Sequence, residues 1–279
     1  MYLIVGINSL IGARVAQVLA GRGSPCMGTS RRPESLGPGV SHLDLVAPGD
    51  WRPPADTRAV LLCSAQANVQ RCSQDPVGTR AVNVEGLLEV ARRCRDVGAD
   101  VFFLSSNQVF DGEQSQTPPL APLSPKTEYG RQKADVERVV LGWKHCGVLR
   151  LTKILPHQGG LLWTWRGELL RGNPVRAFSD MVMAPVALGR AAGIIATVLE
   201  KRRYGISQIS ASRDISYAEA ARLLARQVDA AEDMVKSVSY TTCLDYAPRH
   251  TSLETNLEDC GFTAPPPQDS ILESLSALG

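Results

Sequence analysis

Tyr2-Leu3-Ile4-Val5-Gly6-Ile7-Asn8-Ser9-Leu10-Ile11-Gly12, at the head of the chain, decides the fold. Four apolar residues with no polar face read as a short buried strand, and Gly6 ends it. Ile11, Val15, Val18 and Leu19 then recur at helical spacing, with Gly21 and Gly23 as stops. Strand, glycine turn and helix in that order form the phosphate-binding unit of a dinucleotide fold. Gly6 permits the tight turn, and Gly12 lets helix and strand pack closely. The helix start offers free N–H groups and a partial positive charge to a pyrophosphate. Ser9 stands where a middle glycine is usual. Gly6, Asn8, Ser9, Leu10, Ile11 and Gly12 are therefore the first candidates for holding a cofactor.

The pattern continues outward. Cys26–Thr29, Arg58–Cys63, Val101–Leu104 and Gly147–Leu151 read as further strands. Pro76–Val97 reads as one long helix stopped by Gly98, and Pro125–Val140 as a helix with Pro at its start, where a missing N–H costs nothing. Strands without a polar face, alternating with helices, predict an α/β fold with a doubly wound parallel (Rossmann) sheet covered on both faces. In the second half, Pro156–Pro174 is partly helical, Ala187–Leu199 a helix, and Gly205–Ile209 a strand. Ile215–Val228 is a helix with Asp214 as N-cap, and a short helix follows Pro265–Pro267. The expected organisation is a cofactor-binding unit over residues 1–155, to which 178–209 returns, and a smaller α/β substrate cap from 156–177 and 210–279.

Composition narrows the function. With 279 residues, a formal net charge of +2 and 44% hydrophobic content, the chain has a sizeable core and no charge that calls for nucleic acid. Its apolar runs are far shorter than a bilayer span, so no membrane partner is expected. The positive side is lopsided, 24 arginines against 6 lysines, which suits anionic ligands. The seven cysteines are odd in number and without a C-x-x-C pair, and the four histidines are far apart. Neither a disulfide framework nor a metal site is expected. Free thiols, and a start at Met1–Val5 without a basic, cleavable leader, lead us to expect a reducing cytoplasm.

The end of the second strand selects the cofactor. An acid there holds the ribose 2′-hydroxyl of NAD, whereas arginines accommodate the 2′-phosphate of NADP. Thr29-Ser30-Arg31-Arg32 has no acid before Glu34, which favours NADP. Asp44 and Leu45 follow a third short strand, where adenine is often met. Cys63-Ser64-Ala65 ends the fourth and borders the ribose and nicotinamide. The chemistry is carried by Tyr129-Gly130-Arg131-Gln132-Lys133. Spacing i, i+4 puts both side chains on one helix face, and a nearby ammonium is expected to lower the phenol pKa. Upstream, Ser105-Ser106-Asn107 lies at the carboxyl end of a strand, where α/β sites form, and can hold a substrate oxygen while Tyr129 protonates it.

These residues, with Asn83 in Ala81-Val82-Asn83-Val84-Glu85-Gly86, resemble the extended short-chain dehydrogenase/reductase superfamily. Within it, Ser105-Ser106-Asn107-Gln108-Val109-Phe110-Asp111-Gly112 resembles the Ser-Thr-Asp-Tyr-Val-Phe-Asp-Gly segment of dTDP-4-dehydrorhamnose reductases, and Tyr129–Lys133 their Tyr-Gly-Arg-Ser-Lys. The resemblance implies an NADPH-dependent reductase of a keto group on a nucleotide-activated deoxysugar or related metabolite. It implies that Ser106 hydrogen-bonds the carbonyl, Tyr129 donates the proton, and Lys133 binds the nicotinamide ribose and tunes Tyr129. Asn83 supports the active-site backbone or a water chain. Tyr129 and Lys133 thus count among both the catalytic and the cofactor residues.

The sequence departs from that pattern on the substrate side. Asn107 and Gln108 replace Asp and Tyr. Arg150-Leu151-Thr152-Lys153-Ile154-Leu155-Pro156 stands for Arg-Thr-Ser-Trp-Val-Tyr-Gly, and Met181-Val182-Met183-Ala184-Pro185-Val186 for Gln-x-Gly-x-Pro-Thr. Those family segments line the sugar site, and here they are more apolar. Substrate candidates are Gln66, Asn107, Gln108, Trp163, Arg166, Met181, Met183 and Arg249. Arg166, Arg171, Arg176 and Arg249 are candidates for a substrate phosphate. Sugar dehydratases need an Asp–Glu pair where this chain has two amides that cannot ionise, which disfavours dehydration. The alternatives are a non-catalytic NADP-binding regulatory subunit, resembling the β-subunit of methionine adenosyltransferase, and a sugar epimerase. The partners expected are a small keto substrate and, as self-association, a homodimer.

Overall fold

The computed structural model describes residues 1–242 and 246–276; Cys243 lies outside the described residues. The chain opens with β1 (Tyr2–Val5), α1 (Leu10–Gly21), β2 (Cys26–Ser30), β3 (Val40–His42) and β4 (Ala59–Leu62). There follow α2 (Val69–Gln74), α3 (Pro76–Arg80), α4 (Leu87–Asp96), β5 (Asp100–Ser106), α5 (Glu128–Leu141) and β6 (Cys146–Leu151). Next come β7 (Lys153–Leu155), α6 (Gly160–Leu170), β8 (Val175–Phe178), β9 (Val182–Met183), β10 (Pro185–Ala187), α7 (Leu188–Glu200) and β11 (Gly205–Ile209). The last elements are β12 (Ile215–Ser216), α8 (Tyr217–Gln227), β13 (Val235–Val238) and α9 (Pro267–Ser276).

Seven strands form one parallel sheet in the order β11-β6-β5-β4-β1-β2-β3. The order reverses between β1 and β4, and in a doubly wound sheet the crevice at that point takes the ligand. Alternate side chains of each strand go to opposite faces. Ile4, Leu61, Phe102 and Leu149 meet Val15 and Leu19 of α1 and Ala191 and Ile195 of α7 on one face. Leu3, Val60, Phe103 and Val148 meet Leu87 and Val90 of α4 and Val136 and Val140 of α5 on the other. A third core, with Leu162, Trp165 and Leu169 of α6, Leu224 of α8, Val235 and Ile271, belongs to the cap. Among the described residues, no helix is long and apolar enough to cross a membrane.

The cap and the sheet share segments. Within 178–209, α7 packs under the sheet and β11 pairs with β6, whereas Val182–Met183 pairs antiparallel with β12 of the cap. Near the chain end, Leu257, Cys260 and Phe262 join the core beneath α7.

Three helices differ from expectation in ways that matter for the site. The stretch Pro76–Val97 is helical through Asp96, but Ala81–Gly86 winds as a π-helix between α3 and α4. The helix expected from Pro125 begins at Glu128. Thr127 is its N-cap and accepts the Gly130 N–H at 3.0 Å, because a hydroxyl satisfies an end donor that a proline only avoids. The helix expected after Asp214 begins at Tyr217, capped by Ser216 and Glu219 in a reciprocal box. Asp214 is employed elsewhere, as described below.

Arg150, the one residue of the Arg150–Pro156 stretch matching the quoted pattern, is fully enclosed and lines no cavity described here. It pairs with buried Glu137 of α5 at 2.7 Å and donates to Pro119 O at 2.7 Å and Gln208 Oε1 at 3.2 Å. It thus ties α5, the loop before it, β6 and β11 together.

Candidate active site

At the carboxyl ends of β1, β2 and β4 lies a cleft of about 300 Å³. Gly6, Asn8, Ser9, Ser30, Arg31, Arg32, Asp44, Leu45, Ser64, Ala65 and Gln66 line it, joined by Thr29, Leu43 and Val82. Gly6 has φ +86°, and a Cβ there would lie 2.3 Å from Ser64 Oγ. Only glycine leaves this approach open. Ser9, in the middle-glycine position, is the N-cap of α1 and accepts the Gly12 N–H at 3.0 Å. Among the described residues, the Leu10 and Ile11 amides have no acceptor, so the helix start keeps two donors for an anion. Gly12 itself is buried packing: a Cβ there would meet Gly6 O at 2.6 Å. Asn8 Nδ2 donates to Ser30 Oγ at 2.8 Å, which fixes the strand end before the two arginines. Arg31 and Arg32 are exposed and form no ion pair among the described residues. A glycine cradle, two free helix-end donors and two unpaired guanidinium groups fit a dinucleotide carrying a further phosphate. Cys63 lines neither cavity; it packs against the core under α1, and burial pushes its thiol far above the usual range.

Asn83 sets the floor of the cleft. It donates to Gln66 O at 3.0 Å and to Gln132 Oε1 at 2.7 Å, and accepts the Gln66 N–H at 2.7 Å. The π-helical segment turns Asn83 towards this loop and Val82 into the cleft. Gly86, in the same segment, lies under the Leu45 backbone; a Cβ there would fall 1.7 Å from Leu45 O.

A second cavity, of about 600 Å³, opens beyond the cleft. Ser106, Asn107, Gln108, Tyr129, Met181 and Met183 line it, together with Thr152, Lys153, Ile154, Tyr217, Tyr246, Pro248, His250 and Thr251. Ser106 at the end of β5 accepts the Gln108 N–H at 3.2 Å, and Asn107 Oδ1 lies 3.4 Å from its Oγ. Neighbouring Ser105 has a buried Oγ without a partner, so of the two hydroxyls it is Ser106 that faces the cavity. Lys133 lies below the phenol. Its ammonium donates to Leu104 O at 2.7 Å and sits 5.7 Å from the Tyr129 ring centroid. Burial lowers its pKa from 10.5 to about 8.

The expectation that Lys133 lowers the phenol pKa does not hold here. Burial pushes Tyr129 well above its ordinary value. The ammonium that was to offset this is itself buried and turned to the Leu104 carbonyl. The phenol is therefore a hydroxyl throughout the neutral range, the form that can give a proton.

The remaining candidates stand apart. Trp163 and Arg166 stack on one another along α6, with 6.0 Å from guanidinium to ring centroid, and line neither cavity. Arg249 is exposed and lies 3.7 Å from Glu113. Arg171 pairs with Glu168, and Arg176 is exposed on β8. The sequence points to this stretch through Arg249, whereas its neighbours Tyr246, Pro248, His250 and Thr251 are the residues that form a wall of the cavity. This wall is held by Asp214, which accepts from the Thr251 and Ser252 amides at 2.8 and 3.0 Å and from both hydroxyls at 2.7 and 2.9 Å. His250 Nδ1 lies 3.3 Å from the same carboxylate. Nothing local in the sequence announces that pairing.

Comparison with known proteins gives a consistent picture. The sequence model described as RmlD substrate binding domain matches residues 1–275. A dTDP-4-dehydrorhamnose reductase from Streptomyces griseus is 31% identical over 143 residues, 50% of this chain and 44% of that protein. The match thus spans less than half of that relative. A protein from Haloferax volcanii named "Probable low-salt glycan biosynthesis reductase Agl14" is 27% identical over 74% of this chain and 72% of its own length. Among solved structures, dTDP-4-dehydrorhamnose reductase from Bacillus anthracis in complex with NADP superposes with a TM-score of 0.82 at 17% identity, covering 98% of this chain and 97% of that one. At that identity the likeness establishes the fold.

Proposed function

The chain belongs to the RmlD substrate-binding-domain family, and from that premise we propose that it reduces a keto group on a sugar nucleotide, using NADPH. One observation carries the reading. Ser106 and Tyr129 face the same cavity, and Lys133 is fixed directly beneath the phenol by Leu104 O. The sheet unit holds the cofactor and the cap closes over the substrate.

Bound in the cleft, the dinucleotide supplies a hydride to the carbonyl carbon. The Leu10 and Ile11 amides would hold its pyrophosphate, and Arg31 and Arg32 would accommodate the 2′-phosphate. Ser106 donates a hydrogen bond to the carbonyl oxygen and polarises it. Tyr129, kept protonated by burial, delivers its proton to that oxygen as the carbon is reduced, and is then reprotonated from solvent. Lys133 carries the positive charge that steadies the phenolate formed in that step. Asn107 and Gln108 offer hydrogen bonds to substrate hydroxyls and, as amides, add no acid or base of their own.

The test is NADPH oxidation with a keto-sugar nucleotide, such as one formed in situ by a dTDP-glucose 4,6-dehydratase. Tyr129→Phe is expected to lower kcat by about 10²–10⁴-fold with little change in NADPH affinity by fluorescence. A mutant as fast as the parent would overturn the role given to Tyr129. Binding of NADPH with no oxidation by the parent across such substrates would favour a regulatory subunit instead.

A further inference from the structure

The substrate cavity is charged in one sense only. Lys126 and Lys153 line it, with His250, and its described lining contains no Asp or Glu. Neither ammonium has an ion-pair or hydrogen-bond partner among the described residues. Lys126 is at the mouth, exposed just before α5. Lys153, on β7, is exposed as well; it lines the cavity beside Ile154 and Met183 and also an adjoining chamber of about 220 Å³. Leu10 of the cofactor turn, Leu155, Leu162 and Tyr217 make that chamber, and Lys153 is the sole charged residue in its described lining. The side chain reaches solvent, and the apolar residues around its stem lower its pKa. A partly shielded ammonium with no counter-ion gains from a ligand that brings the opposite charge. In the pattern that Arg150–Pro156 resembles, this position carries Trp, so the cation is a feature of this chain.

We propose that Lys153 recognises a carboxylate on the sugar unit itself, so that the substrate is a uronate-type sugar nucleotide rather than a neutral deoxysugar. This rests on the sugar-nucleotide reading above. On a 4-keto pyranose the anomeric diphosphate leaves the ring at the end opposite C4, whereas the C6 substituent is next to it. Lys153 lines both the chamber that Leu10 of the cofactor turn helps make and the cavity of Ser106 and Tyr129, so a C6 carboxylate beside the carbon to be reduced would come within its reach. Lys126, at the mouth, is the cation left for the diphosphate.

The experiment is calorimetric titration of the NADP-saturated chain with glucose and glucuronate sugar nucleotides, each as dTDP and UDP conjugates. The glucuronate form is expected to bind about tenfold or more tightly than its glucose counterpart, the range of a charge-assisted hydrogen bond. Lys153→Met should erase that preference, bringing the two affinities together. Lys153→Arg should keep it, and melting curves with NADP establish that both variants fold. Equal affinity in the parent, or a preference that survives Lys153→Met, overturns the proposal and leaves the sugar-nucleotide reading standing. Failure of all four conjugates to bind overturns both.

Discussion

Lys133 shows how a single side chain serves chemistry at the expense of stability. It is buried beside Phe103, its ammonium 4.5 Å from that ring centroid, and one carbonyl accepts from it. Its pKa in the fold, about 8, is below the 10.5 of an unfolded lysine. Between those values the unfolded chain binds the extra proton, so stability from this group rises with pH across that window, and its penalty is full below about pH 8. Lys133→Met should therefore unfold at higher urea at pH 7, a gain of about 2 kcal/mol, while losing turnover. An unfolding midpoint that fell, or that moved equally at pH 7 and pH 10, would count against the residue's being a buried cation. The same residue marks a limit of reading sequence. Tyr129 and Lys133 were legible as a pair from their spacing. The direction of the phenol pKa was not, because spacing gives proximity and says nothing of which carbonyl holds the ammonium or how dry the pocket is.

At the scale of elements, the site depends on how closely α5 approaches the turn after β5. Gly130 follows Tyr129 on α5, and a Cβ on it would lie 2.1 Å from Gln108 O and 3.1 Å from Pro125 Cβ. The obstacle is backbone, so a side chain cannot be accommodated by a rotamer change. Gly130→Ala should push α5 away from Asn107–Val109, part Tyr129 from Ser106, and destabilise the fold by about 1–3 kcal/mol. Steady-state kinetics should register a loss in kcat of ten-fold or more, since small misplacements of catalytic groups are costly, with NADPH binding retained. An unchanged kcat would mean that the helix position does not set the catalytic geometry. The strands that carry these elements were readable because their apolar runs have no polar face. Pro125 suggests an earlier start for α5 than the one its Thr127 cap fixes. The π-helical segment was invisible, since Ala81–Gly86 has the periodicity of an ordinary helix and only Asn83 reaching Gln66 and Gln132 explains its winding.

The whole molecule is closed by contacts far apart in sequence, and these were the least legible. Gly112 O accepts the His250 N–H at 2.8 Å, Thr117 pairs with Leu253, and Asp214 gathers Thr251 and Ser252. The result is a wall pressed against the turn after Phe110, where Tyr246 also donates to Asp111 O. Asp214→Asn removes the charge that four donors share. It should raise KM for the sugar nucleotide several-fold and speed amide exchange from Thr251 to Leu253, with the central sheet as protected as before. Uniform loss of protection would instead make Asp214 a global support. Apart from β11, every strand of the main sheet is complete by Leu151, but the cavity over Tyr129 takes its outer wall from residues beyond Tyr246. On a ribosome this imposes a sequence in time. The nucleotide cleft can assemble first, and the chamber proposed for carbonyl reduction is complete only once the residues beyond Tyr246 have been made. A growing chain can thus acquire its cofactor cleft before it has a complete chamber in which to use it.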